Sequence, residues 1–500
     1  MKLRGNGGKQ GSELTFFGNP LGLLNIFSTE FCERFSYYGM RAILVYYIYD
    51  SVSKGGLGLQ EKDAMVIMSL FGSLVYLSCI MGGWMADRVL GAYRAILVGC
   101  VFIAVGHVIL GAPLGIEGVY TAMIFIIVGT GLLKTNVSVM VGNLYERDDP
   151  RRLSGFSLLY MSINIGAFLS PIIVGSIADK DGYKAGFLIP AIFMGIGLFV
   201  YVGLSKHTLE GIGREPVQPL TQADKKRWRR IFVIAVVACL VIAANIAIFA
   251  ALGRPVSIGA VSDFLPIACA IIAIALFFFI IRDRNVSGEE RGRMKAYIPL
   301  FIAATFFFSI SEQQSSTIAV VAKQYLNTDI LGFHIPASWF QSVNPLAIIA
   351  LSPVFAVIWS KLGVRAPSMV VKMGVGLAIA GLGLVVLATG FFMRASDNEL
   401  LNPAWLIAAL VIITVGELFL APTGLSATTL LAPEIHIAKV MGLWFISNAL
   451  GQAINTVTVR FFDGKQPEEY FLIYAAVAMA VAATVLLMRR KLLALASGVR

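Results

Sequence analysis

Fourteen apolar stretches divide this chain, at about 20–48, 65–86, 93–113, 118–143, 154–177, 185–204, 231–252, 260–282, 296–324, 338–360, 369–392, 403–430, 437–459 and 470–488. Each is long enough to cross the hydrocarbon core of a bilayer as a helix, which takes about 20 residues. In lipid every backbone N–H and C=O must be satisfied internally, and a helix does this within one segment. Composition agrees: of 500 residues 57% are hydrophobic and only 14% charged, with mean hydropathy +0.79. Soluble chains carry about 25% charge. The expectation is an all-α polytopic membrane protein.

The loops sort by charge. One set holds Arg88 and Arg94; Arg147, Arg151 and Arg152; Lys225 to Arg230; Arg282 to Lys295; Lys361 and Arg365; and Arg489 to Lys491. The polar segment 1–16, with Lys2, Arg4 and Lys9, belongs with them, and no cleavable signal peptide is visible in it. The other set is nearly balanced, as in Asp50, Lys54, Glu61, Lys62 and Asp63. By the positive-inside rule both termini are cytoplasmic, in a cell inner (plasma) membrane. The net charge of +11 is then mostly topology, not a nucleic-acid footprint, although a basic surface also attracts anionic lipid. The five cysteines lie in apolar stretches, and the four histidines form no HxxxH or HExxH pattern, so no metal or other cofactor is expected.

Basic clusters at 225–230 and 282–295 bracket the seventh and eighth spans, which hold almost no charge. These read as a two-helix hairpin inserted between two six-helix bundles. The expected division is a cytoplasmic tail 1–16, a bundle 17–207, a linker and hairpin 208–295, a bundle 296–490 and a tail 491–500. Without the hairpin, twelve spans remain, and the deep charges fall on the first, fourth, seventh and tenth. The first has Glu30, Glu33, Arg34 and Arg41, on one helical face with Tyr37 and Tyr38. The fourth has Lys134, the seventh Glu312 and the tenth Glu417. A charge at mid-bilayer costs at least about 2.5–3.5 kcal/mol, so a chain that keeps these has a use for them. One charge-bearing helix in every three is the pattern of four three-helix repeats around one cavity. The bland alternative is a structural ion-pair network.

Lys134, Glu312 and Glu417 have no local partner of opposite sign, so they are expected to pair in space. Arg41 with Glu312 and Lys134 with Glu417 would join the two bundles at different depths and act as two gates. A buried carboxylate that loses its cation tends to take a proton. Glu30, Glu33, Glu312 and Glu417 are therefore proton-carrier candidates, and a sodium cycle fits less well. Tyr76, Asn164 and Asn344 are mid-span hydrogen-bonding groups that serve equally as helix contacts. Trp444 lines an apolar pocket or faces lipid.

The string Gly82-Gly83-Trp84-Met85-Ala86-Asp87-Arg88-Val89-Leu90-Gly91 resembles the second-to-third-helix loop of the major facilitator superfamily, where it would latch helix ends in the outward state. Glu30-x-x-Glu33-Arg34-Phe35-x-Tyr37-Tyr38-Gly39 matches the ExxERFxYYG signature of the proton-dependent oligopeptide transporters. Strings 160–166, 339–345 and 416–422 resemble that family too, as does the layout of fourteen spans with a central hairpin, typical of its bacterial members.

The resemblance implies a major facilitator fold and proton-coupled uptake of di- and tripeptides, by a protein expected to function as a monomer. It implies that Glu30, Glu33 and Arg34 couple protons, that Arg41 and Lys134 take the peptide carboxylate, and that Glu417, Asn164 and Asn344 take its amine. Tyr37, Tyr38 and Tyr76 would hold backbone groups, with Trp444 beside the substrate. Ser311 stands where many bacterial members have a second glutamate, Phe308 replaces a Trp, and Leu159, Thr135 and Gln314 also depart from the pattern. Side-chain preference and proton stoichiometry turn on those positions. The alternatives are a carrier of another anion or metabolite, such as nitrate or a peptide-like drug, and a sensor that binds without transporting. No nucleophile–base pair suggests an enzyme.

Overall fold

The computed structural model describes residues 15–146, 148–221, 224, 258–330, 332–394, 396 and 399–496. The expected span at 231–252 lies outside them. A two-stranded antiparallel turn, β1 (Thr15–Phe16) with β2 (Asn19–Pro20), leads into α1 (Gly22–Tyr49). Then follow α2 (Glu61–Met85), α3 (Ala92–Gly111), α4 (Gly115–Asn143), α5 (Arg151–Asp181) and α6 (Tyr183–Thr208). Beyond α7 (Ile258–Arg282) come α8 (Gly288–Ser311), the short α9 (Thr317–Gln324), α10 (Val343–Leu362), α11 (Met369–Phe392), α12 (Pro403–Leu430), α13 (Ile437–Thr458), α14 (Pro467–Leu487) and a last turn, α15 (Arg489–Leu495).

Among the described residues twelve helical segments are long and apolar enough to cross a membrane. The first helix is outside that set although it has 28 residues, because Glu30, Glu33, Arg34 and Arg41 stand inside it. Consecutive spans alternate in direction from α1 to α6 and again from α7 to α14. One face of the protein carries the start of α1 and the end of α14, here the terminal face; the other is the far face. Helices α1–α6 form one bundle, with α1 against α5 and α6, and α3 against α4. The other is built on α11, which packs on α12 and α14. The bundles meet through α2 with α13 and α5 with α10. This is the two-bundle arrangement expected from the sequence.

The helices that carry Lys134 and Glu417 are set by matching glycine contacts. A Cβ on Gly99 of α3 would lie 2.7 Å from the Gly129 carbonyl of α4, and one on Gly376 of α11 would lie 2.7 Å from the Gly416 carbonyl of α12. Only glycine permits backbones to cross that closely.

The expected ninth span, 296–324, is not one helix. It breaks into α8, a 3₁₀ segment at Glu312–Ser315, and α9. Ser316, at φ −127° and ψ −99°, ends the regular winding. The polar run explains the break: Ser315 bonds back to the Glu312 carbonyl, and Gln313 to the Ser309 carbonyl. The expected tenth span likewise opens with a 3₁₀ stretch, Ala337–Ser342. The Gly-rich string at 82–91 forms a turn closed by a π-helical segment, Ala86–Leu90, and Gly91 at φ +77°. Its Asp87 and Arg88 carbonyls accept from the Gln218 and Leu220 N–H groups of the following linker.

The glycine crossing gives a stability test. Gly376→Ala should destabilise by about 1–3 kcal/mol, read as a lower unfolding midpoint in detergent. Gly195→Ala, where nothing lies within 4 Å of the added carbon, should hold or raise the midpoint.

Candidate functional site

The deep polar groups meet in a chamber of about 220 Å³ between the bundles. Its walls include Tyr38 and Arg41 of α1, Tyr76 of α2, Tyr160 and Asn164 of α5, Glu312, Asn344 of α10, Glu417 of α12 and Asn448 of α13. A second chamber of about 520 Å³ shares Tyr76, Tyr160, Phe308, Glu417 and Asn448 with the first, and adds Lys134, Trp444 and Phe445. A third, lined by Trp359, Met369 and Leu430 at the terminal ends of their helices, shares Tyr160, Leu418 and Pro422 with the second. The path therefore runs from mid-membrane to the terminal face, at a scale suited to a small ligand. Charge position singled out α1, α4, α8 and α12; half the wall comes from α2, α5, α10 and α13.

Two charges of these chambers, Lys134 and Glu417, make no ion pair among the described residues. The Lys134 ammonium lies 3.9 Å from the centroid of the Tyr76 ring, a cation–π contact. Glu417 Oε2 accepts from Asn344 Nδ2 at 2.9 Å, and the same amide donates to Thr414 Oγ1 at 2.9 Å. The expected Lys134–Glu417 ion pair is thus not made in this structure: each group has a neutral partner, and the chamber that both line lies open. Asn164 lines the chamber with its amide committed to the Tyr160 carbonyl at 2.8 Å. Trp444 packs edge-on to Phe308, with centroids 5.3 Å apart, over Gly424, where a side chain would collide with the indole.

Behind this wall sits the cluster on α1. Arg34 is 2% exposed and Glu33 0%. Arg34 Nε lies 3.0 Å from Glu30 Oε1 and contacts the Glu33 carboxylate. Two carboxylates thus face one guanidinium. Tyr37 departs from expectation: it is buried and does not line the chamber. Its ring lies between the Arg34 and Arg41 guanidinium groups, 5.6 and 5.5 Å from its centroid, and stacks on Phe71. One residue of helical turn separates it from the cavity-facing Tyr38.

On the far side the chamber is shut. Arg41 Nη2 meets Glu312 Oε2 at 2.9 Å and also reaches Ser315, so the expected first cross-bundle pair is present. Tyr76 donates to the other Glu312 oxygen at 3.4 Å. Trp339 Nε1 donates to Ser176 Oγ at 3.0 Å, Ser342 to the Phe168 carbonyl at 2.7 Å and Tyr46 to the Ala319 carbonyl at 3.1 Å.

The POT family model matches residues 93–490. The chain belongs to the POT family. It is 40% identical over 497 residues to the di-/tripeptide transporter of Lactococcus lactis subsp. cremoris, covering 98% of this chain and 99% of that one. It is also 40% identical to the uncharacterized transporter YclF of Bacillus subtilis (strain 168), over 95% of this chain and 94% of that one. The solved structure of the peptide transporter POT in complex with sulfate superposes with TM-score 0.93, at 44% identity and 97% coverage of both chains. A POT family transporter in complex with 5-aminolevulinic acid gives TM-score 0.92 at 36% identity, over 96% of this chain and 98% of that one.

In this POT family member a second far-face contact escaped the sequence reading. Asp50, at the end of α1, accepts from the Tyr183 hydroxyl at the start of α6 and from Lys323 Nζ of α9 at 2.5 Å. Lys323 also reaches Tyr183 OH at 2.8 Å, and its ammonium lies 4.8 Å from the Tyr46 ring centroid. Glu61 and Gln324 bond beside it. Each residue stands at a helix end, where a charge reads as an ordinary loop group. The one local signal is Lys323 itself, a lone cation closing the apolar run Ile318–Ala322.

Removing this contact should loosen the far side. Lys323→Met should shift the balance toward an open far face by about 1–2 kcal/mol, near tenfold, given a partly exposed pair. The readout is the alkylation rate of a cysteine placed at Gln314, and the exchange Asp50→Lys with Lys323→Asp should restore the slow rate.

Proposed function

We propose that this chain imports di- and tripeptides with protons by alternating access, as a multi-pass protein of the cytoplasmic membrane with its terminal face inside. The observation that carries this reading is the open chamber with the Lys134 cation and the Glu417 carboxylate on opposite bundles and neutral amides and phenols between. A zwitterionic peptide presents the matching set: a carboxylate for Lys134 and Arg41, an amine for Glu417 with Asn344 and Asn164, and backbone amides for Tyr38 and Tyr76. The peptide and ligand complexes of the similar proteins support a substrate of this kind.

Charge counting supplies the coupling. The α1 cluster holds two carboxylates and one guanidinium. Inside a low-dielectric protein the remaining negative charge needs either a nearby cation or a proton. In this reading Lys134, the α4 cation of the same bundle, is that cation. When a peptide carboxylate engages Lys134, that balancing charge is shared, and a proton on Glu30 or Glu33 replaces it. When peptide leaves toward the cytoplasm, Lys134 is returned and the proton is released. The reaction is transport alone, without cofactor. Glu312 serves the cycle differently: its pair with Arg41 closes the far side, and opening that side frees both groups. Closure of the terminal side brings Lys134 and Glu417 together. The turn at 82–91 would latch helix ends in that second state.

The test is uptake of a labelled dipeptide into proteoliposomes under an inward proton gradient. Accumulation above equilibrium that collapses with an uncoupler is expected. Accumulation of nitrate without dialanine would replace the substrate assignment, and tight peptide binding without accumulation would indicate a sensor. Glu33→Gln should reduce gradient-driven uptake to background while sparing peptide counterflow, and full driven uptake in that variant would sink its coupling role. Glu417→Ala should lose both modes.

A further inference from the structure

Helix α7 lies alongside α13 and is fastened to it at both ends. On the far side Asp263 Oδ1 meets Arg460 Nη1 at 2.6 Å, Arg460 also reaches Ser262, and Thr456 donates to the Ser262 carbonyl at 2.8 Å. Midway, Cys269 packs on Ala449 and Ala453. At the terminal face Asp283, just past α7, meets His436 Nε2 at 2.8 Å, and Lys439 Nζ lies 3.0 Å from His436 Nδ1. Lys439 is also 4.5 Å from the centroid of the Phe279 ring. The Asn285 N–H, then His436, hold the Asp283 carboxyl below the usual range. The first turn of α8 adds a strap, with Glu290 accepting from the Glu434 N–H at 3.3 Å.

Toward the other bundle the character of the contact changes. Leu265 of α7 shares one apolar cluster with Tyr76 and Leu77 of α2. Here α2 and α13 already touch, since Ser73 Oγ donates to the Ala449 carbonyl at 2.8 Å. The helix therefore covers the seam between the bundles, held on α13 by ion pairs and strong hydrogen bonds and on α2 by apolar side chains and one weak thiol–hydroxyl contact, Cys269 with Ser73. Ion pairs and hydrogen bonds fix register, whereas apolar side chains in lipid have little preference for one another over the acyl chains.

We propose that α7 is a travelling seal: it rides with α13 as part of the C-terminal bundle, slides over α2, and keeps lipid out of the seam as the bundles rock. The proposal rests on the alternating-access reading above. A cysteine pair at Asp283 and His436, oxidised, should leave proton-driven uptake within about twofold of the reduced protein. A pair at Leu265 and Leu77, oxidised, should lose uptake and regain it on reduction. Inhibition by the first cross-link, or normal uptake through the second, overturns the proposal. Uptake by the reduced proteins reports separately on the transport reading. An arm that needs no transport uses spin labels at Ile274 of α7 paired with Gly442 of α13 or with Met81 of α2. Introducing Lys323→Met should alter the α7–α2 distances and leave the α7–α13 distances unchanged; an equal shift in both overturns the proposal.

Discussion

Charge inside a bilayer is tolerated only with a partner or a solvated cavity, and this fold is arranged around that constraint. Arg34 is nearly inaccessible and held by Glu30 and Glu33 on its own helix. Arg41, seven residues on, finds its carboxylate on the other bundle instead. One helix thus carries a charge cluster balanced within a bundle and a charge balanced between bundles. The first has its partners on its own helix, whatever the placement of the two halves. The second is satisfied only when they close on the far side, so its partnership reports their arrangement. Tyr37 lies between the two guanidinium groups and separates these roles physically.

The sequence made some of this legible because charge in apolar helices has few explanations. The Arg41–Glu312 pair follows from two unpartnered groups on helices of different bundles, and the structure contains it. The Lys134–Glu417 pair follows from the same argument and is absent, because pairing depends on conformation and a sequence does not specify which state is populated. The Asp50–Tyr183–Lys323 contact was not legible. Its members come from the ends of three helices, where polar residues are expected anyway. The break at 312–316 was hidden by apolar residues on both sides of it, which carry the hydropathy of one uninterrupted span. The neutral wall of the chamber was only partly legible, since Tyr160, Gln341 and Asn448 carry no large desolvation cost to mark them.

The glycine contacts show how such charges are placed at usable depth. Lys134 follows the Gly99–Gly129 crossing by one helical turn, and Glu417 is adjacent to the Gly376–Gly416 crossing. Corresponding helix pairs of the two bundles are thus held at the same close approach, with a cation carried on one and an anion on the other. The two halves share a scaffold and differ in the charge it presents, and a site for a ligand with two opposite ends needs that difference.

Ser311 completes the charge balance. It lines the chamber beside Glu312, and the Arg41 guanidinium answers one carboxylate with help from Ser315. A second carboxylate at 311 would face the same single cation, and closing the far side would then require a proton there. With serine in place, the far pair is one to one. The surplus carboxylate remains on α1, where Glu30 and Glu33 share Arg34. In the proposed cycle this puts the coupling proton on α1 alone and leaves Glu312 to govern access, so gating and coupling are carried by different carboxylates of one connected charge network.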